Sequence, residues 1–347
     1  MPRDHRVSVI LPVRNGGAWL TVALNSVLEN AAVAQVVVVD DGSTDGAVEV
    51  AVGSAADSRV DVVSLPETGL PGALNAGLEV ANHGLIARMD ADDVSCPGRI
   101  DEQVALWEQP ADENAVVGCQ VRPIAGRDGK EEPGPGFARF CGWQNTLLTP
   151  VDHRRERFID TPITHPTMLA STRLLRDHGG WRDGPFQEDY DLFLRLIGAG
   201  VRLHKLAKRA YWYRDHGGRF TRTDARCSRR NVIRLKAGAL ARDWPALSTG
   251  SQASSRAVQI IGAGDDAKRT CDALRDNGID VARFFDVNPR RIGAKVRGVP
   301  VVAHSLLSEF AGSPTLVAIV RQGARQQIRA ELTVMGWHEG RDWLFVA

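Results

Sequence analysis

Short apolar runs alternate with amphipathic stretches through the first hundred residues, and each run ends in a polar turn. Val7–Val13 reads VSVILPV, Val36–Val39 is four valines in a row, and Val60–Ser64 and Leu85–Met89 follow. Between them, Ala18–Glu29 sets Leu20, Ala23, Leu24, Val27 and Leu28 at helical spacing, and Gly72–Asn82 reads as another helix. Runs this short and this apolar are strands that need cover on both faces. A parallel sheet with crossover helices supplies that cover. The expected class is therefore α/β, with a mostly parallel sheet flanked by helices.

In such sheets ligands bind outside the carboxyl ends of the strands. Three polar segments fall there: Pro12–Asn15, Asp40–Asp41 and Asp90–Asp93. In the last, Asp90, Asp92 and Asp93 crowd three like charges behind a buried strand, where they resist ionisation unless a cation neutralises them. Hard oxygen ligands suit Mg²⁺ or Mn²⁺; the alternative is a solvated acidic turn capping the next helix. Asp40 and Asp41 suit a base N–H or a ribose hydroxyl, or with Ser43 an N-cap; the two readings are compatible. Glu188-Asp189-Tyr190-Asp191 precedes the amphipathic run Leu192, Leu194, Leu196 and Ile197. It reads either as the acidic first turn of a helix or, near His165 and the loop Gly179-Gly180-Trp181, as a general-base site.

The rest of the chain differs in texture. Arg122–Phe137 is rich in Gly and Pro and reads as a long loop; Ala246–Ser255 is a linker by composition. Beyond it the pattern restarts with strand Ala257–Ile261, Gly262-Ala263-Gly264, helix Asp266–Asn277 and strand Val281–Phe285 ending at Asp286. The expected division is 1–245, a linker at 246–256, and 257–347. A net charge of +1 does not suggest a nucleic-acid binder. Five cysteines without a C-x-x-C pair point to a reducing compartment, and no apolar run reaches the ~18 residues of a membrane span. Met-Pro-Arg-Asp-His-Arg leads directly into a strand rather than a signal peptide. Together these give a cytoplasmic expectation.

Four ordered motifs then carry a resemblance: VSVILPVRN at 7–15, VVDDGSTD at 38–45, MDADD at 89–93 and EDYDL at 188–192. Together they resemble a family 2 glycosyltransferase of GT-A fold, over residues 7 to about 216. The resemblance implies inverting transfer of a sugar from a nucleotide-diphosphate donor, usually a UDP-sugar, in bacterial polysaccharide or glycoconjugate synthesis. It implies that Pro12, Arg14, Asp40 and Asp41 border the nucleotide and that Asn75 lies near the ribose or diphosphate. Asp92 would hold the metal, Asp90 the metal, ribose or donor sugar, and Asp93 would support both. Glu188-Asp189 matches the catalytic-base position, with Asp189 the base.

Two departures stand out. Gly16-Gly17 replaces an acidic residue, and Ala73-Leu74 rather than a basic residue precedes Asn75. Arg88 or Arg99 would then supply positive charge near the diphosphate, with a surface helix residue the alternative for Arg99. His165, Trp181 and His216 are acceptor or lid candidates; His216 belongs to a segment resembling one that closes over the donor. For His165 a structural histidine is the competing reading.

Residues 202–236 hold twelve Lys/Arg against Asp215 and Asp224. This is either a solvated face or a peripheral contact with an anionic membrane, useful for a lipid-linked saccharide acceptor. Residues 257–347 resemble the small Rossmann-like domain that begins bacterial sugar acyltransferases. Gly262 and Gly264 form a G-x-G-x-x-A turn there, and Asp286 sits where a ribose-binding acid would. A homo-oligomer is also compatible. The alternatives are a nucleotidyltransferase and a nucleotide-sugar binding or assembly protein.

Overall fold

The computed structural model describes residues 5–109, 113–247, 256–321 and 323–347. By internal contacts the chain forms two units. One comprises residues up to 153, 161–184 and 188–224; the other comprises 154–160, 185–187 and 225–347.

The first unit is built on eight strands: β1 (Val7–Val13), β2 (Val33–Asp41), β3 (Val60–Leu65), β4 (Leu85–Arg88), β5 (Val94–Ser95), β6 (Ala115–Ala125), β7 (Leu169–Ser171) and β8 (Arg202–Asp215). Their order is β3-β2-β1-β4-β7-β6-β8-β5. The β1–β2, β2–β3, β1–β4 and β6–β8 pairs are parallel, while β7 runs antiparallel to β4 and β6, and β5 to β8. The chain therefore leaves β1 toward β2 and β3, then returns to add β4 on the other side. That reversal opens a crevice beyond the carboxyl ends of β1 and β4.

Side-chain alternation explains why β1 is buried throughout. Val7, Val9, Leu11 and Val13 enter one core with helices Gly17–Leu28, Ala47–Ala55 and Arg99–Trp107. Ile10 enters the other, with Leu70–Val80, Thr172–Asp177 and Glu188–Gly198. Gly77 lets the helix Leu70–Val80 lie close on β1, since a Cβ there would meet Ile10 Cγ2 at 2.5 Å. The long loop expected at Arg122–Phe137 is shorter: β6 runs to Ala125, and a helix begins at Pro135. Pro135 suits a first helical turn, where no N–H partner is needed.

The second unit carries a six-stranded sheet: β9 (Ala257–Ile261), β10 (Asp280–Asp286), β11 (Lys295–Val296), β12 (Val299–Ala303), β13 (Thr315–Val317) and β14 (Trp343–Phe345). The order is β11-β12-β10-β9-β13-β14, parallel except for the β11–β12 hairpin. Helix Arg229–Leu247 packs on helix Asp265–Asp276 within this unit. The contact division thus falls at 224–225, ahead of the boundary expected from composition. The linker expected at 246–256 lies outside the described residues except at its ends, where the helix continues to Leu247 and residue 256 is placed. No helix among the described residues is long and apolar enough to cross a membrane.

The basic run at 202–236 is not one solvated face. Lys205, Arg214 and Lys236 are buried, and the run is divided between the two units. Lys205 Nζ donates to the carbonyls of Gln144 (2.6 Å) and Pro162 (3.2 Å). Burial pulls its pKa down to about 7. Between that value and the ordinary lysine range, the unfolded chain binds a proton that the folded chain does not, so stability should rise with pH from about 7 toward 10. Lys205→Met should flatten this slope, as read from denaturation midpoints across that range.

Candidate active site

The carboxyl ends of β1 and β2 are joined by side chains rather than by helix caps. Asn15, at φ 54°, accepts from Thr44 N on Oδ1 (2.9 Å), and its own N–H donates to Ser43 Oγ (2.9 Å). Gly17 N donates to Asp45 Oδ2 (2.9 Å), and Asp40 Oδ1 accepts from Ser43 N (2.8 Å). Ser43 therefore does not cap the following helix, whose N-cap position is Gly46; Asp45 Oδ1 accepts from Ala47 N instead (3.1 Å). Asp41 accepts from Thr68 N (2.6 Å), Thr68 Oγ1 (2.7 Å) and Gly69 N (2.9 Å), which ties the third loop to the other two. Pro12 is buried within β1. Arg14 is half exposed and paired with Glu67 through Nη2 and Oε2 at 2.6 Å.

Asp90, Asp92 and Asp93 follow β4 directly, and one carboxylate oxygen of each lies within 4.8 Å of the others. Strand β8 supplies most of what surrounds them. Tyr211 OH donates to Asp93 Oδ2 (2.9 Å), Arg214 N to Asp93 Oδ1 (2.7 Å), and Arg214 Nε to the carbonyl of Asp92 (2.7 Å). His216 Nε2 lies 2.6 Å from Asp92 Oδ2, and its ring packs on Trp19 with centroids 5.0 Å apart. Burial and the neighbouring carboxylates push Asp93 well above the usual carboxylate range, and burial pushes Asp90 up. Burial works against Asp92 as well, but the hydrogen bond and charge of His216, with Arg219, hold its pKa below the ordinary value.

Arg88 is buried and paired with Asp90. Burial opposes its charge, yet the negative groups around it, Asp90 and Glu188 among them, keep it protonated. It is thus an electrostatic link between the two acidic clusters. Arg99 is buried too, which removes the surface-helix reading. Its guanidinium donates to the carbonyls of Pro166 (2.9 Å) and Arg88 (3.4 Å) and lies 5.1 Å from the Tyr211 ring centroid.

Glu188 and Asp189 open the helix Glu188–Gly198. Glu188 is buried, with Oε1 4.0 Å from His165 Nδ1, whereas Asp189 is half buried and accepts from Tyr190 N (2.7 Å). His165 and Trp181, expected in an acceptor pocket or lid, are buried against each other: Trp181 Nε1 donates to His165 Nε2 (2.7 Å). Burial and the charge of Arg88 drive the His165 pKa well down, so the ring is neutral. It supports Glu188 from behind.

Asn75, expected near the ribose or diphosphate, uses its amide for a backbone clamp. Its Nδ2 donates to the carbonyl of Trp181 (2.7 Å), and its Oδ1 accepts from Trp181 N (3.0 Å). Gly180 makes that clamp possible. It sits at φ 57°, and a Cβ there would lie 2.3 Å from Asn75 Oδ1.

The residues that sequence reasoning missed are on or just beyond β8. Arg219 donates to Tyr213 OH and stacks on the rings of Phe137 and Tyr213 at 4.3 Å each. Burial opposes its charge, and Tyr213 with Asp90, Asp92 and Asp93 outweighs that opposition. Tyr211 and Arg214 are the others. The available signal was the alternation Tyr211, Tyr213, Asp215 around Arg214 and His216, in the segment from which only His216 was taken as a site residue.

In the second unit, Asp286 is occupied by its own loop. It accepts from Ala263 N (3.2 Å) and Asn288 N (2.8 Å) and pairs with Arg291 (2.9 Å). Gly262 is at φ 102° and Gly264 is the N-cap of helix Asp265–Asp276, whose first turn carries Asp265 and Asp266. Two carboxylates at a helix N-terminus disfavour a phosphate group there.

Residues 8–178 match the family model described as Glycosyl transferase family 2. The succinoglycan biosynthesis protein ExoU of Rhizobium meliloti (strain 1021) is 31% identical over 205 residues, which is 56% of this chain and 58% of that protein. The putative glycosyltransferase EpsE of Bacillus subtilis (strain 168) is 29% identical over 240 residues, covering 67% and 81%. The chain therefore spans under two thirds of the first relative's length and more of the second's. A crystal structure of S. aureus TarS 1-349 in complex with UDP-GlcNAc aligns with a TM-score of 0.54 at 18% identity, covering 78% of this chain and 80% of that one. The likeness is one of fold: a large sheet flanked by helices, as in GT-A glycosyltransferases.

Asn75→Ala should lower stability by about 1–3 kcal/mol, because it strips both partners from the Trp181 backbone. A denaturant titration measures this. A variant of unchanged stability with a raised donor KM would return Asn75 to the nucleotide.

Proposed function

We propose that this chain, whose residues 8–178 match the family 2 glycosyltransferase model, is an inverting, metal-dependent glycosyltransferase. Its donor is a nucleotide-diphosphate sugar, UDP-linked in this reading, and its acceptor a saccharide hydroxyl of a polysaccharide or glycoconjugate. The observation that carries the proposal is the convergence of Asp90, Asp92 and Asp93 within 4.8 Å at the switch point of the sheet. The biosynthetic role of ExoU and the UDP-GlcNAc bound to TarS support the acceptor and donor classes.

The donor set is all oxygen, and burial with the neighbouring carboxylates disfavours full ionisation of Asp90 and Asp93, which fits a hard divalent cation such as Mg²⁺ or Mn²⁺. Both oxygens of Asp93 accept hydrogen bonds from β8, so Asp92 and Asp90 are the ligands and Asp93 is their support. When bound, the ion offsets charge on the diphosphate leaving group. Arg88 and Arg219 add fixed positive charge to the same cluster. Asp189, the less buried member of the second cluster, takes the proton from the acceptor hydroxyl as its oxygen bonds to the anomeric carbon. The carbon–oxygen bond to the diphosphate breaks on the opposite face. One displacement gives one inversion. Glu188, buried beside His165 and within reach of Arg88, positions the helix turn that presents Asp189.

Asp189→Asn should lower kcat by about 10²–10⁴-fold with little change in donor KM. EDTA or Asp92→Asn should abolish release of nucleoside diphosphate from a panel of UDP- and GDP-sugars in the presence of acceptor. Full turnover in EDTA and in both variants would falsify the assignment.

A further inference from the structure

The second unit contains a cavity of about 290 Å³ lined by Arg230, Ile233, Arg234, Arg269, Asp272, Ala273, Asp276 and Arg297. None of these residues belongs to the site above. Helix Arg229–Leu247 contributes positions 230, 233 and 234, and helix Asp265–Asp276 contributes 269, 272, 273 and 276. Those spacings put each set on a single helix face. Ile233 and Ala273 are buried and form an apolar floor, while the arginines stand exposed at the rim.

The arginines differ in how they are held. Arg269 pairs with Asp266 (3.2 Å), and Arg297 with Asp272 (3.0 Å). Arg297 is at φ 55°, and its carbonyl accepts from Arg275 Nη1 (2.8 Å), so this part of the rim is tied to the helix. Arg230 and Arg234 have no carboxylate partner among the described residues, although they lie four apart, where like charges repel. Four arginines against two aspartates leave the lining with an excess of positive charge.

A planar guanidinium presents paired N–H donors that match phosphate oxygens. We infer that this cavity binds a phosphate-bearing ligand, with Arg230 and Arg234 holding the phosphate and Asp276 facing the hydroxyl-bearing remainder. The cavity lies at the lower end of the ~300–1,000 Å³ of small-molecule pockets, a size suited to a diphosphate or sugar phosphate rather than a dinucleotide. The same anion is carried by free phosphates and by lipid headgroups.

The test uses the full chain in EDTA, so that binding at the Asp90–Asp93 cluster does not contribute. Inorganic pyrophosphate and glucose 1-phosphate are titrated by calorimetry, and vesicles of phosphatidylcholine with or without phosphatidylglycerol are tested by flotation. Saturable binding of either soluble probe, or flotation only with phosphatidylglycerol, is expected. The first result assigns the cavity to free phosphates, the second to a headgroup. Arg230→Ala/Arg234→Ala should weaken that binding at least tenfold, and Asp276→Asn should strengthen binding of pyrophosphate two- to threefold. Asp92→Asn should leave it unchanged, which separates this site from the glycosyltransferase reading. The inference is overturned if neither probe nor vesicle binds, or if the double variant binds as the parent does.

Discussion

Three carboxylates confined to one end of a buried strand repel one another, and the site is organised around answering that repulsion. Asp90, Asp92 and Asp93 cannot all stay ionised without hydrogen-bond donors and positive charge close by. β8 and the turn after it bring Tyr211, Arg214, His216 and Arg219 to them, while Arg88 reaches Asp90 from the strand that carries the cluster. The cost of gathering three acids is therefore met partly by the protein. The remainder of the negative charge is the part a divalent cation would neutralise.

The division of work among the acids follows from how many hydrogen bonds each already accepts. Asp41 and Asp93 accept protein donors on both carboxylate oxygens and so brace the loops around them. Asp40 spends one oxygen on its own turn. Asp90 and Asp92 each accept from one side chain, Arg88 and His216, and keep more of their coordination capacity. Acids that look alike in a sequence motif thus differ in how many protein donors they already accept.

The second unit shows the same principle with the opposite outcome. Its glycine turn and terminal acid have the spacing of a nucleotide fingerprint, but Asp286 closes on Ala263 and Arg291, and Asp265 and Asp266 occupy the helix start. The spacing is met by a loop that binds itself. Positive charge gathers elsewhere, between the two helices that hold Arg230 and Arg269.

The sequence by itself determined the strand–helix alternation, the doubly covered sheet and the location of Asp40, Asp41 and Asp90–Asp93 at strand ends, because periodicity and apolar run length are local properties. The four motifs, in order, also carried the resemblance to family 2 glycosyltransferases. Only the tertiary structure decided what each polar side chain does. Asn75 and Trp181 are 106 positions apart, His216 and Asp92 are 124 apart, and His165 meets Trp181 only once β7 and the loop before Glu188 are packed. Such pairings depend on which chain segments the sheet order makes neighbours, here β8 joined to the sheet through β6 and β7 rather than next to β4. Spacing along the chain carries no trace of that order. For the same reason spacing alone could not say which of the twelve cations of 202–236 are covered, whereas folding buries Lys205, Arg214 and Lys236 and turns Arg219 toward the acids.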